Sequence, residues 1–276
     1  MAHNTGQHDA SGDSVGERAA NSDWLDKAIR VGLVAYGVVH LLIAWLAFQL
    51  ALGNNEGRPS NEGAMHQLAQ QSFGEVLLWA IAIGMFFLVI WRLLEAALGH
   101  RDEDGAQRWA KRATSLGKAV VFGAVGYSAL AEALGGASDP KGRSNTAKLM
   151  DLPAGQWLVG LVGIGIIVYG ANMVRRGFTE KFREHLTAEG KSGEAGRAYI
   201  WFGKAGHIAK GASITLVGGL FLYAAVSHQP KESGGLDVAL LTVLEQPLGQ
   251  LLLGAVAIGI ACYGLFCFAR ARHLSK

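Results

Sequence analysis

Six apolar stretches, each about 20 residues long, set what this chain can fold into. They fall at roughly 29–52, 74–97, 115–134, 156–174, 207–226 and 248–269. A stretch of this kind crosses a bilayer as a helix, because only a helix satisfies its own backbone N–H and C=O groups in lipid. Half of the 276 residues are hydrophobic and 17% are charged, against about a quarter charged in a soluble domain. The charges gather between the apolar runs. Glycine is abundant (38 residues) and proline scarce (5), as in helices that pack closely with few breaks. The expected fold class is an all-α membrane protein with six transmembrane helices.

Composition also excludes. The net charge of +3 is diffuse, with no basic block interleaved with aromatics, so a nucleic-acid partner is not expected. Cys262 and Cys267 are five residues apart on different faces of one apolar run, so neither a disulfide framework nor zinc spacing is present. Residues 1–23 are polar and lack an apolar h-region. They are expected to be a disordered cytoplasmic tail, with the first span serving as the insertion signal.

The lysines and arginines between the runs are unevenly shared. The N-terminal tail, the second loop, the fourth loop and the C-terminal tail hold 17 of them, and the other three loops hold 5. The positive-inside rule then places both termini in the cytoplasm. Trp24 and Trp109 before odd spans, and Trp79 and Trp157 at the start of even spans, fit interfacial positions.

The chain also repeats itself. The segments AMHQLAQQSFGEVLLWAIAIG (64–84), NTAKLMDLPAGQWLVGLVGIG (145–165) and ALLTVLEQPLGQLLLGAVAIG (239–259) align without a gap. Gly74, Gly155 and Gly249 share one column, and Gly84, Gly165 and Gly259 another. The odd spans align on Gly32, Gly117 and Gly206. Each unit reads as a helix, an outer loop with a short amphipathic turn, and a returning helix. Units of one orientation are related by an axis along the membrane normal, which predicts three helix-pair repeats in a pseudo-threefold bundle. The boundaries follow: repeat 1 over 24–99, repeat 2 over 108–176, a cytoplasmic linker over 177–197, and repeat 3 with a short C-tail over 198–276. In the linker, Phe178, Phe182 and Leu186 recur every four residues beside Lys181 and Arg183, the pattern of an interfacial amphipathic helix or of a short surface helix.

The even-helix pieces PAGQWLVGLVGIGIIVYG (153–170) and PLGQLLLGAVAIGIACYG (247–264) resemble a motif of the bacterial family called domain of unknown function 1206. The odd-helix pieces RVGLVAYGVVHLL (30–42), GKAVVFGAVGY (117–127) and GKAGHIAKGASITLVGG (203–219) resemble its other motif. The resemblance runs over residues 24–270 and implies six spans built from three pairs. It brings no catalytic residues. The sequence departs from the motifs at Phe122, which stands where Gly37 and Gly211 stand, and at Leu88–Val89, which replace Tyr169–Gly170 and Tyr263–Gly264.

An ionisable residue inside a span is a candidate for function. His40 lies deepest, in the first span, and can relay protons or hydrogen-bond a neighbouring helix. Asn172 can bridge helices, and Glu132 lies near the outer end of the third span. These three form the candidate intramembrane polar site. Lys118 and Lys210, near the cytoplasmic ends of their spans, are expected to snorkel. His207 shares the repeat column of Lys118. Arg92 and Glu95, three apart on one helix face, are expected to pair. No P-loop, H-E-x-x-H or G-x-S-x-G sequence is present, so no enzyme, cofactor or metal site is expected. The plan resembles mitochondrial carriers in architecture alone, without their signature, and architecture does not give function. Two readings remain: a scaffold or accessory component working with the lipid bilayer and other membrane proteins, or a transporter of a small molecule or ion with a site on the pseudo-threefold axis.

Overall fold

A computed structural model describes residues 23–54, 57–99, 105–136, 155–227 and 235–274, with side chains from Asp26 onward. The predicted N-terminal tail over 1–22, the loop lysines and arginines at 141–148 and 231, and the second repeat's approach over 145–154 lie outside the described residues.

The described chain is all helical apart from turns and one isolated bridge. The helices are α1 (Asp23–Ala51), α2 (Asn61–Ala69), α3 (Gly74–Leu98), α4 (Gly105–Ala133), α5 (Gly155–Phe178), α6 (Gly193–Ser227), α7 (Leu236–Leu244) and α8 (Gly249–Arg272). Five of them, α1, α3, α5, α6 and α8, are long and apolar enough to cross a membrane. The third predicted span, within α4, is not among these five. Lys118 and Glu132 sit near the two ends of its apolar part and lower its hydropathy.

The two described approaches, before α3 and before α8, are built alike. Ser60 caps α2 by accepting a hydrogen bond from the N–H of Gly63 at 3.1 Å. Ala64, Met65 and Leu68 of α2 are buried, and so are Ala239 and Leu240 of α7 at the matching repeat columns. The turn that follows closes alike in both, with Gly74 N–H bonded to Gln71 O and Gly249 N–H to Gln246 O, each at 2.8 Å. A Cβ at Gly74 or Gly249 would strike the carbonyl of Leu68 or Leu244, which is why the column is glycine.

Helices in lipid gain little from burying leucine on leucine, so close backbone approach at small residues decides which pairs pack. Within repeat 1, α1 crosses α3 where a Cβ on Gly32 would meet Gly84 O. Within repeat 3, α6 crosses α8 where a Cβ on Gly206 would meet the backbone of Tyr263 and one on Gly259 would meet Ala209. Between repeats, α1 meets α8 at Gly37 and Gly264, and α6 meets α5 at Gly211 and Gly170. The third contact between repeats, α3 with α4, uses Phe122 and Val89 at those same two columns. The two departures from the family motif thus belong to one interface, where side chains stand at those columns and Gly126 of α4 lies against Met85 of α3.

The helices therefore follow one another around the bundle in the order α3, α4, then α5, α6, α8, α1 and back to α3. Among the described residues α4 and α5, the two helices of repeat 2, have no substantial packing with each other. Their repeat glycines, Gly117 and Gly165, face open space. The bundle has an open seam there. At the end that carries the termini, Arg30 Nη1 donates to the carbonyls of Ala271 (2.8 Å) and Arg272 (2.7 Å), tying α1 to the end of α8.

The segment after α5 does not continue as an α-helix with a four-residue apolar face. It turns through Glu180, at φ 54°, into short 3-10 pieces at Lys181–His185 and Glu189–Lys191. Phe182 and Leu186 are fully buried in the protein, while Phe178 is exposed. Phe182 stacks on His207 with centroids 4.9 Å apart and meets Phe266 edge-on at 5.2 Å. Gly203 leaves the room, since a Cβ there would collide with the Phe182 ring.

Two substitutions separate a crossing glycine from an open one. Gly211→Leu forces α5 and α6 apart and is expected to cost roughly 1–3 kcal/mol, the usual range for overpacking. Gly165→Leu, on the seam, is expected to stay within about 0.5 kcal/mol of the parent. Detergent-titrated unfolding followed by circular dichroism measures both.

Candidate functional site

One face of each of several long helices carries polar and aromatic side chains toward the middle of the bundle. On α1, Tyr36 and His40 are one turn apart and both buried. On α6, Lys210 stands four residues beyond the crossing glycine Gly206, the same repeat column as Tyr36. On α8, Tyr263 stands four residues beyond Gly259.

Lys210 is the centre. Its Nζ donates to Tyr36 Oη at 2.7 Å and lies 2.7 Å from His40 Nε2. His40 Nδ1 is 2.8 Å from the backbone carbonyl of Tyr36, one turn earlier on its own helix. A carbonyl only accepts, so Nδ1 carries the proton and Nε2 offers its lone pair to the lysine. The third side of the ammonium faces rings: Nζ is 3.9 Å from the Tyr263 centroid and 4.6 Å from that of Tyr36. No carboxylate pairs with Lys210 among the described residues. A charged residue deep in a bilayer helix costs about 2.5–3.5 kcal/mol on insertion scales, and such residues mark functional sites by default.

A shell of rings holds the cluster. Tyr36 meets Phe122 edge-on at 5.0 Å, and the His40 and Tyr263 rings are 5.0 Å apart. His207, one helical turn from Lys210, donates from Nδ1 to Gly203 O at 2.7 Å and packs between Phe182, Phe266 and Tyr263.

The three residues expected to form the polar site do not converge. His40 is in the cluster. Asn172 is exposed on α5, on the face that also carries Tyr169 and Arg176. Glu132 is at the far end of α4, where its carboxylate lies 3.6 Å from His66 of α2. The expected pair is present: Arg92 Nη1 donates to Glu95 Oε2, which also accepts from Ser115 Oγ at 3.1 Å. Lys210 is the residue that the sequence reading misplaced, since it turns inward and does not snorkel. The available signal was its repeat column, shared with Tyr36 one turn before His40.

Beyond the end of α5, His185 marks the local field. Burial and the nearby cations Arg270, Arg176, Lys118 and Arg92 hold its imidazole down to about 2. An unfolded chain takes up this proton near pH 6.5 and the folded chain does not. His185 therefore favours the folded state fully above pH 6.5, and this contribution falls away as pH drops toward 2.

The known proteins agree with the repeat. A family model described as Domain of Unknown Function (DUF1206) matches residues 31–99, 113–180 and 205–273. Each match takes in one pair of long helices. The uncharacterized protein YxxB of Bacillus subtilis (strain 168) is 28% identical over 249 residues, which cover 90% of each chain. No solved structure matches the chain.

Two measurements check this geometry. Lys210→Met removes the ammonium together with its desolvation cost and is expected to be neutral or stabilising, by up to about 2 kcal/mol. His40→Leu keeps the ammonium but takes away an acceptor, and is expected to cost about 1–3 kcal/mol. In a histidine-labelled sample followed by NMR, the His185 ring is expected to show no protonation between pH 7.5 and pH 5.

With matches across all three helix pairs, the chain belongs to the DUF1206 family.

Proposed function

We propose that this protein binds a small polar solute within a six-span, pseudo-threefold membrane bundle and passes it across the bacterial plasma membrane. In this reading α4 is the sixth span and both termini lie in the cytoplasm, as the distribution of lysine and arginine favours. The protein is a carrier and not an enzyme.

The observation that carries the reading is Lys210, set among apolar helices with Tyr36, His40 and Tyr263 and no paired carboxylate among the described residues. A scaffold gains nothing from such a group. A hydrophobic residue there would pack at lower cost. A carrier uses it to draw a solute with acceptor groups out of water, and His40 Nε2 beside it can exchange a proton with the ammonium. The seam between α4 and α5 offers the way in, and Gly117 and Gly165 leave those helices free to approach and separate.

A second reading rests on the same seam. The exposed face of α5, with Trp157, Leu161 and Val168, also suits a helix from another membrane protein, which would make this chain an accessory subunit.

Accessibility distinguishes the two. Tyr169, 40% exposed on α5, stands within electrostatic reach of Tyr36 and Tyr263. Tyr169→Cys, in a chain with Cys262→Ser and Cys267→Ser, is treated with a membrane-impermeant thiol reagent. Carrier function predicts labelling both in proteoliposomes of the protein alone and in native membranes. Labelling in proteoliposomes with protection in native membranes favours a partner helix. No labelling in either contradicts the solute path.

A further inference from the structure

A second set of charged side chains lies nearer the end of the bundle that carries the termini. Tyr169 and Arg176 on α5 are seven residues apart, and so are Tyr263 and Arg270 on α8. Seven residues are two helical turns, roughly 10 Å along each axis. Arg176 and Arg270 also share a repeat column, eleven residues after Gly165 and Gly259, and Glu95 stands at that column in repeat 1. The pseudo-symmetry of the even helices thus brings these three to one level.

Arg92 and Lys118 join them. Arg92 is 6% exposed. Its guanidinium lies 4.0 Å from the Trp91 ring centroid, and that of Arg270 lies 5.5 Å from the same ring. Lys118, on α4, is close enough to Arg92, Glu95, Arg176 and Arg270 to feel the charge of each. His185 of the 3-10 turn after α5 feels Arg92, Lys118, Arg176 and Arg270 as well.

The charges do not balance. Glu95 neutralises Arg92. Lys118, Arg176 and Arg270 make no hydrogen bond and no ion pair with any described residue. The Nε atoms of Arg92 and Arg270 are enclosed without an acceptor. Three cations held together against their mutual repulsion, with donors to spare, is the arrangement of a site for a multiply charged oxyanion. Lys118 and Arg176 stand on the two helices that flank the seam, and Arg270 stands on α8.

We propose that Lys118, Arg176 and Arg270 bind a phosphate group that bridges α4 and α5 across the seam. The phosphate comes either from free phosphate or phosphate ester in solution, or from an anionic lipid headgroup reaching in through the seam. This site is separate from the Lys210 cluster and stands whether or not a solute crosses the membrane.

The test uses the full chain purified in a neutral detergent and washed free of anionic lipid. Inorganic phosphate is titrated in one arm. Phosphatidylglycerol is titrated in the other, in mixed micelles with phosphatidylcholine alone as control. Thermal unfolding and bound phosphorus are read in both. The wild-type protein is expected to bind at least one of them saturably and to melt at a higher temperature with it. Arg176→Gln and Arg270→Gln are each expected to weaken that binding about tenfold. Binding of both probes, lost in the variants, supports a phosphate site open to either source. Binding of phosphatidylglycerol alone supports a headgroup, and binding of inorganic phosphate alone supports a soluble ligand. Absence of saturable binding by the wild type, which needs no variant to fold, overturns the proposal. So does equal binding by properly folded Arg176→Gln and Arg270→Gln proteins.

Discussion

The bundle depends on backbone approach at glycine. Lipid is as apolar as leucine, so no hydrophobic force selects one neighbour over another, and contact distance does. Four crossings here run through glycine: α1 with α3, α6 with α8, α1 with α8, and α5 with α6. The fifth, α3 with α4, has Phe122 and Val89 at the columns where the other contacts between repeats have glycine, and brings Gly126 against Met85. The sixth crossing, between α4 and α5, has its glycines in place and no partner against them. The repeat supplies six equivalent contacts, and the chain in this conformation uses five.

That unused contact gives the interior its character. Lys210 sits among the rings of α1 and α8, and α4 and α5 leave a gap between them elsewhere in the ring of helices. Its ammonium is met by the Tyr36 hydroxyl, a histidine nitrogen and the face of Tyr263, which solvate the charge without cancelling it. Nearer the termini, Lys118, Arg176 and Arg270 stand beside an already neutral Arg92–Glu95 pair. Both groups present donors in excess of acceptors, and both stand on the helices that flank or face the seam.

How much of this could be read from the sequence follows from what each signal measures. Hydropathy measures transfer into lipid, and it found the helices, with α4 the weakest because Lys118 and Glu132 sit near its ends. Self-alignment measures shared local geometry, and it found the glycine columns, the matching turns before Gly74 and Gly249, and the family. The i, i+3 spacing of Arg92 and Glu95 was enough to pair them, since both partners are on one helix. Neither signal reports which way a side chain points across helices. Depth alone therefore assigns Lys210 to the interface, and it groups the exposed Asn172 with the buried His40. The spacing of Phe182 and Leu186 reads as the apolar face of an interfacial or short surface helix, because nothing in the sequence shows that Gly203 leaves a space for a ring. The paired departures at Phe122 and Val89 were visible, but only the packing of α3 on α4 shows that they belong together.

The open seam is the claim on which the solute path depends, and a distance between spin labels tests it most directly. One pair is placed at Val120 of α4 and Val168 of α5, both exposed, and a reference pair at Val31 of α1 and Phe86 of α3, also exposed. In lipid nanodiscs the reference pair is predicted to give one narrow distance, set by the Gly32–Gly84 crossing. The seam pair is predicted to give a longer or broader distribution. A single narrow distance for Val120–Val168, as short as that of the reference pair, would mean that α4 and α5 pack and that the ring is closed.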